Sequence, residues 1–122
     1  MLQLSHKNLE VWKRSIKLTM KIYQITEKFP NTEIYGLVSQ LRRAAVSVPS
    51  NIAEGASRTS AKDKVRFFEI ARSSLVEIDT QLEIAIQLGY SAEDDLHDVE
   101  VIINETFAML SSLMQSRTRK RR

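Results

Sequence analysis

The sequence predicts an all-α protein, an antiparallel up-down-up-down bundle of four long helices, and three observations carry that prediction. Apolar residues recur at three- and four-residue spacing through most of the 122 residues. Three glycines and two prolines leave little turn material for a chain of strands and hairpins. The periodic segments are similar in length and separated by short joints, which favours antiparallel neighbours. One domain of this length buries a real core, and the bundle is expected over residues 1–116, with a flexible basic tail at 117–122.

The first helix is expected from about Asn8 to Phe29, stopped by Pro30. Asn31 or Thr32 is placed to cap the second helix, which runs from about Glu33 to Ala56 and passes through Pro49. Ser60 with Asp63 forms a capping box for the third helix. That helix reaches Leu88, where Gly89 supplies a left-handed C-terminal cap. Ser91 with Asp94 forms a second capping box. The acidic run EDD at 93–95 suits the positive end of the fourth helix, which is expected to fade near Ser116.

Pro49 is the anomaly. A proline inside a helix removes a donor and clashes with the carbonyl four residues back, at a cost of about 3 kcal/mol or more. Two differently directed pieces would not match the other three rods, so one bent helix is expected. The Ala45 carbonyl loses its partner, with Ser47, Ser50 and Asn51 near enough to help.

The first helix carries two apolar stripes. Leu9, Trp12, Ile16, Met20 and Tyr23 form one; Val11, Leu18, Ile22, Ile25 and Phe29 form the other, with the short side chains Asn8, Ser15, Thr19 and Thr26 between. A peripheral helix of a four-helix monomer needs one stripe. The second predicts a homo-oligomer, with Val11, Leu18, Ile22, Ile25 and Phe29 at the subunit contact. On the third helix, Phe68, Ala71, Leu75, Ile78, Leu82 and Ala85 read as core. On the fourth, Leu96, Val99, Ile103, Phe107, Leu110 and Met114 do. Phe67, Ile70 and Leu88 fall outside the third helix's stripe and again suggest a partner.

Charge is unevenly spread. The last six residues, RTRKRR, hold five of the 18 basic side chains; the rest of the chain has 13 basic against 15 acidic, a net charge of −2. A slightly acidic body with a dense cationic tail points to polyanions through Arg117, Arg119, Lys120, Arg121 and Arg122. Lys13, Lys17 and Lys21 make a ladder on the first helix that is either a solvated face or a polyanion contact, and Arg42 is a further cation. Gln40, Arg43, Ser47, Asn51 and Glu54 form a polar stripe on the second helix. It reads either as a register-fixing network or as a ligand site, and Arg43 and Glu54 are too far apart to pair within one straight helix.

Catalysis finds no footing. The chain has no cysteine, no Gly-rich phosphate loop and no HExxH, so an enzyme, a cofactor or redox chemistry is not expected. Glu93 and His97 are four apart, but two ligands are too few for a closed metal site. Without an apolar leader or a spanning segment, the expectation is a soluble, cytoplasmic protein with no membrane partner.

The stretches LEVWKRSIKL, IYQITEKFP, YGLVSQLRRAAVSVPSNIAEG and FFEIARSSLVEIDTQLEIAIQLG resemble the bacterial four-helix-bundle proteins also called S23 or 23S rRNA-intervening-sequence proteins. The likeness runs from about Leu9 to Leu113. It implies a left-handed antiparallel bundle that assembles as a homopentamer. Some members are encoded inside intervening sequences of large-subunit ribosomal RNA genes, and a similar fold serves retroelements as an accessory that binds nucleic acid and a reverse transcriptase. The family's motif falls on Gln40, Arg43, Ser47, Pro49, Asn51, Glu54, Gly55 and Glu77. The expected partners are further copies of the chain, RNA or DNA, and a nucleic-acid-processing protein. The function expected is non-enzymatic binding of structured RNA by a homo-oligomer; the alternative is a protein-interaction scaffold whose tail is only an electrostatic appendage.

Overall fold

In the computed structural model, which describes residues 1–120, four long helices form a bundle: α1 (Glu10–Thr26), α2 (Leu37–Ser57), α3 (Ala61–Gln87) and α4 (His97–Lys120). Each helix packs on its chain neighbour, and α4 closes the ring of contacts against α1. The residues that meet run in opposite senses: Thr19 with Ala45 and Thr26 with Arg42 across α1–α2, Ser47 with Ser74 and Ala56 with Lys64 across α2–α3. No helix among the described residues is long and apolar enough to cross a membrane.

The ends follow local chemistry. Ser60 Oγ accepts the Asp63 amide at 3.1 Å and starts α3 as its capping box requires. Gly89, at φ 78°, turns the chain out of α3, while the Gly89 and Tyr90 amides donate to the carbonyls of Ile86 and Ala85. Two other caps differ from expectation. Neither Asn31 nor Thr32 caps α2; a short turn, Asn31–Glu33, precedes it, and the Glu33 carboxylate accepts the Leu37 amide at 3.1 Å. Ser91 is likewise no cap, because a 3-10 turn at Glu93–Leu96 opens after Ala92 and delays α4 to His97. At its far end α4 continues past Ser116 to Lys120, so the helix carries the first part of the basic segment.

The core corrects the reading of α1. Leu18 and Ile22 are fully buried, and Val11 and Phe29 nearly so, within the chain's own core; Ile25 packs against that core half-buried. The stripe expected at a subunit contact is therefore the internal one, and Ile16, Met20 and Tyr23 face outward instead. Ser15 and Thr26 are buried beside it. Their hydroxyls donate to the carbonyls of Trp12 and Ile22, so these short side chains let α2 approach without leaving unpaired polar groups. On α4, Phe107 lies on the rim and Thr106 takes the core position. The Arg72 guanidinium sits 5.4 Å from the Phe107 ring centre and donates to Ser111 Oγ, which holds the ring at the surface.

α2 runs through Pro49 without interruption, and Pro49 is buried on the apolar face rather than among the polar residues of its motif. The carbonyl it orphans is served from another helix: Thr19 Oγ1 of α1 reaches Ala45 O at 3.1 Å while also lying 2.8 Å from Ser15 O. Of the nearby residues expected to help, Ser47 and Asn51 are engaged elsewhere, with Asn51 Nδ2 donating to the Ser47 carbonyl and hydroxyl, and Ser50 is exposed.

Candidate nucleic-acid interface

α2 carries a polar groove on its α3 side. Ser47 and Ser74 hydroxyls meet at 2.9 Å, and that register sets Arg43 opposite Glu77 and Gln40 opposite Gln81 one and two turns along. These six line a shallow groove of about 370 Å³. Only the serine rung is closed. Among the described residues neither Arg43 nor Glu77 has an ion-pair partner, and Gln81 Oε1 is buried without a hydrogen bond. Glu54, expected in the same network, pairs instead with Arg58, just past the end of its own helix, at 3.2 Å. The structure thus joins Gln40, Arg43, Ser47 and Glu77, leaves out Glu54, and adds Ser74 and Gln81, which α3's core periodicity gave no reason to single out.

On its other side, α2 borders a larger cleft of about 700 Å³ against α1. Arg42 is its fixed cation. Its guanidinium carbon lies 4.4 Å from the centre of the Tyr23 ring, Nε donates to Thr26 Oγ1 at 2.9 Å, and Nη2 donates to the Tyr23 carbonyl at 3.3 Å. None of these partners is a carboxylate, so the charge is oriented but not neutralised. Arg43 stands at the ridge between cleft and groove and lines both. Tyr35, 96% exposed, lies at the same mouth.

The lysine ladder is fragmented. Lys13 lies 3.9 Å from Glu10, Lys17 is exposed, and Lys21 shares a small depression with Asp95 of the 3-10 turn and Asp98 of α4. Nearby, Arg14 pairs with Glu105 at 3.0 Å. Interspersed carboxylates weaken the field such a ladder presents to phosphates. Arg117, Arg119 and Lys120 lie on the helical end of α4; their side chains, and Arg121 and Arg122 entirely, lie outside the described residues. Among the described residues no group of three or more histidine or acidic side chains gathers as a metal site.

Four long helices form the bundle, and α2 borders a polar groove on one flank and a cleft lined by Arg42, Arg43, Tyr23 and Tyr35 on the other. The chain belongs to the 23S rRNA-intervening sequence protein family, whose pattern it matches over residues 7–112. Its fold is similar to a crystal structure from Bacteroides thetaiotaomicron of an S23 ribosomal protein family member of unknown function. That likeness has a TM-score of 0.76 and 20% identity, covering 85% of this chain and 97% of the other. No curated protein matches the chain.

Proposed function

We propose that this chain is a non-enzymatic, cytoplasmic homo-oligomer, a pentamer by its family resemblance, that binds nucleic acid, structured RNA foremost, as an accessory factor. The partition of charge carries this reading: a body of net charge −2 bears five cations in its last six residues, on and beyond the end of α4. Repetition of that tail around an assembly supplies multivalency that one tail lacks. The family's connection with ribosomal RNA genes agrees with an RNA target. With the inner stripe of α1 engaged in its own core, self-association falls to exposed apolar residues such as Ile16 and Met20 on α1, Val76 and Ile84 on α3, and Leu88 just past its end. A ring needs two different patches meeting head to tail, and these helices offer two. The same exposed faces favour a second reading, a scaffold for another protein.

A salt titration of binding to a structured ribosomal RNA fragment, with the full chain and a version ending at Ser116, tests the proposal. The expected slope of log affinity against log salt is near −4.5 for each fully engaged tail, about 0.9 per contact. Loss of binding with the tail leaves the bundle as an assembly scaffold; absence of binding by the full chain overturns the nucleic-acid reading in favour of a protein partner. Light scattering at micromolar concentration that returned the 14.0 kDa mass of one chain would refute the oligomer.

A further inference from the structure

We infer that the α1–α2 cleft is a site for an unpaired nucleotide, with the base stacked on Tyr35 and its phosphate held by Arg42 and Arg43. This rests on the nucleic-acid reading and goes beyond it, since that reading needs only the tail. Single-stranded nucleic acid is held by a flat π-face for the base and guanidinium groups for the backbone, and this cleft brings both together. Tyr35 lies almost wholly in solvent, and Phe29 and Val38 give the cleft a buried apolar floor.

Charge selects the occupant. Glu27 is the one carboxylate lining the cleft, against two arginines, so the site is locally positive on a body that is net negative. Among the described residues, the ion pairs at Lys13, Arg14 and Arg58 leave both cleft arginines without a carboxylate. Contacts to Thr26 and Tyr23 fix Arg42 in advance, which lowers the ordering cost of a phosphate contact. A second copy of the chain is the competing occupant. Ile34 and Val46, exposed in the same cleft, offer it apolar contacts, but covering them would also bury two guanidinium groups.

The test uses the full chain and a short single-stranded RNA carrying 2-aminopurine, whose fluorescence falls on stacking, beside a duplex of the same sequence. Wild type should change the fluorescence of the single strand. Tyr35→Ala, at a position too exposed to disturb the fold, should abolish that change and weaken single-strand binding about 5- to 150-fold while leaving duplex binding intact. Arg43→Ala should flatten the single-strand salt slope by about 0.7. Unaltered binding and fluorescence response in Tyr35→Ala overturns the cleft assignment while the tail reading stands. A fall in oligomer mass with RNA affinity unchanged overturns it in favour of a contact between copies. Failure of wild type to bind either RNA overturns both readings.

Discussion

α2 has two seams, and they are built on opposite principles. Toward α3, past the polar groove that Ser47 and Ser74 bridge, it is sealed by close packing at its C-terminal end, where the buried Gly55 lies under the Phe67 and Phe68 side chains. Toward α1 it is held by directed polar contacts, Thr19 to the Ala45 carbonyl and Arg42 to Thr26 and Tyr23, and it opens into the 700 Å³ cleft. Close packing tolerates no added volume but asks nothing of chemistry. Directed contacts tolerate space but fail when a single donor is removed. One helix thus combines a rigid seam that fixes the bundle with an open one that leaves cations facing outward.

The largest effect should come from adding volume to the sealed seam. A Cβ at position 55 would stand 2.7 Å from Cε1 of Phe68 and 3.1 Å from Cβ of Phe67. Phe68 is itself buried, so its ring has nowhere to go. Gly55→Val should cost about 3 kcal/mol in chemical denaturation, at the upper end of typical overpacking penalties. A matched Ala53→Val substitution on the same helix, at a half-buried position, should cost less than half of that. Equal costs would mean that α2 and α3 do not approach as closely as the structure places them.

The open seam breaks by subtraction. Thr19→Val keeps the shape and removes the hydroxyl that serves the Ala45 carbonyl, leaving an acceptor unpaired at a cost of about 1–2 kcal/mol. In a Pro49→Ala background the residue at 49 regains an amide for that carbonyl, so the same Thr19→Val change should cost under about 0.5 kcal/mol. The double-mutant cycle therefore isolates the task that the proline sets for α1. If Thr19→Val costs the same in both backgrounds, the two residues are not coupled and the proline's orphaned carbonyl is satisfied some other way.

How much of this was legible in the sequence differs between the seams. The sealed one was largely readable. The α3 core stripe from Phe68 to Ala85 follows helical periodicity, and the Ser60 and Gly89 caps follow from local chemistry. The α1 stripes were not, because both are apolar and periodicity alone cannot rank them. The deciding feature was the short hydroxyl residues Ser15, Thr19 and Thr26, which mark the side where another backbone comes close. Phe107 shows the same limit: a phenylalanine outranks Thr106 on hydrophobicity, yet Arg72, 35 residues away in sequence, holds its ring at the rim. The polar groove was half-visible, since α2's stripe has regular spacing, but Ser74 and Gln81 join it only through the α2–α3 register. The union of Tyr23, Tyr35 and Arg42 likewise needed the tertiary structure.

The smallest effect, and the finest test of the contrast, lies where the two seams end together. Glu33 accepts the Leu37 amide with one carboxylate oxygen and the Tyr90 hydroxyl with the other, at 2.9 Å, and Tyr90 packs its ring 5.5 Å from Phe29. One side chain thereby caps α2 and ties it to the end of α3. The Glu33 hydrogen bond is the main cause that raises the Tyr90 ionisation above its ordinary 10.0, with burial and the Glu33 charge adding to it. A group whose ionisation is raised on folding stabilises the fold fully below its unfolded value, and that contribution is lost as pH climbs through the raised folded value. Melting temperature should therefore decline above pH 10, and ultraviolet titration should show a tyrosine that ionises above the ordinary 10.0. Tyr90→Phe should lower stability slightly at neutral pH, remove the late-titrating group and shallow the alkaline decline. If the tyrosine lost in that variant is one that ionises at its ordinary 10.0 rather than above it, the clasp is open in solution and α2 begins without help from α3.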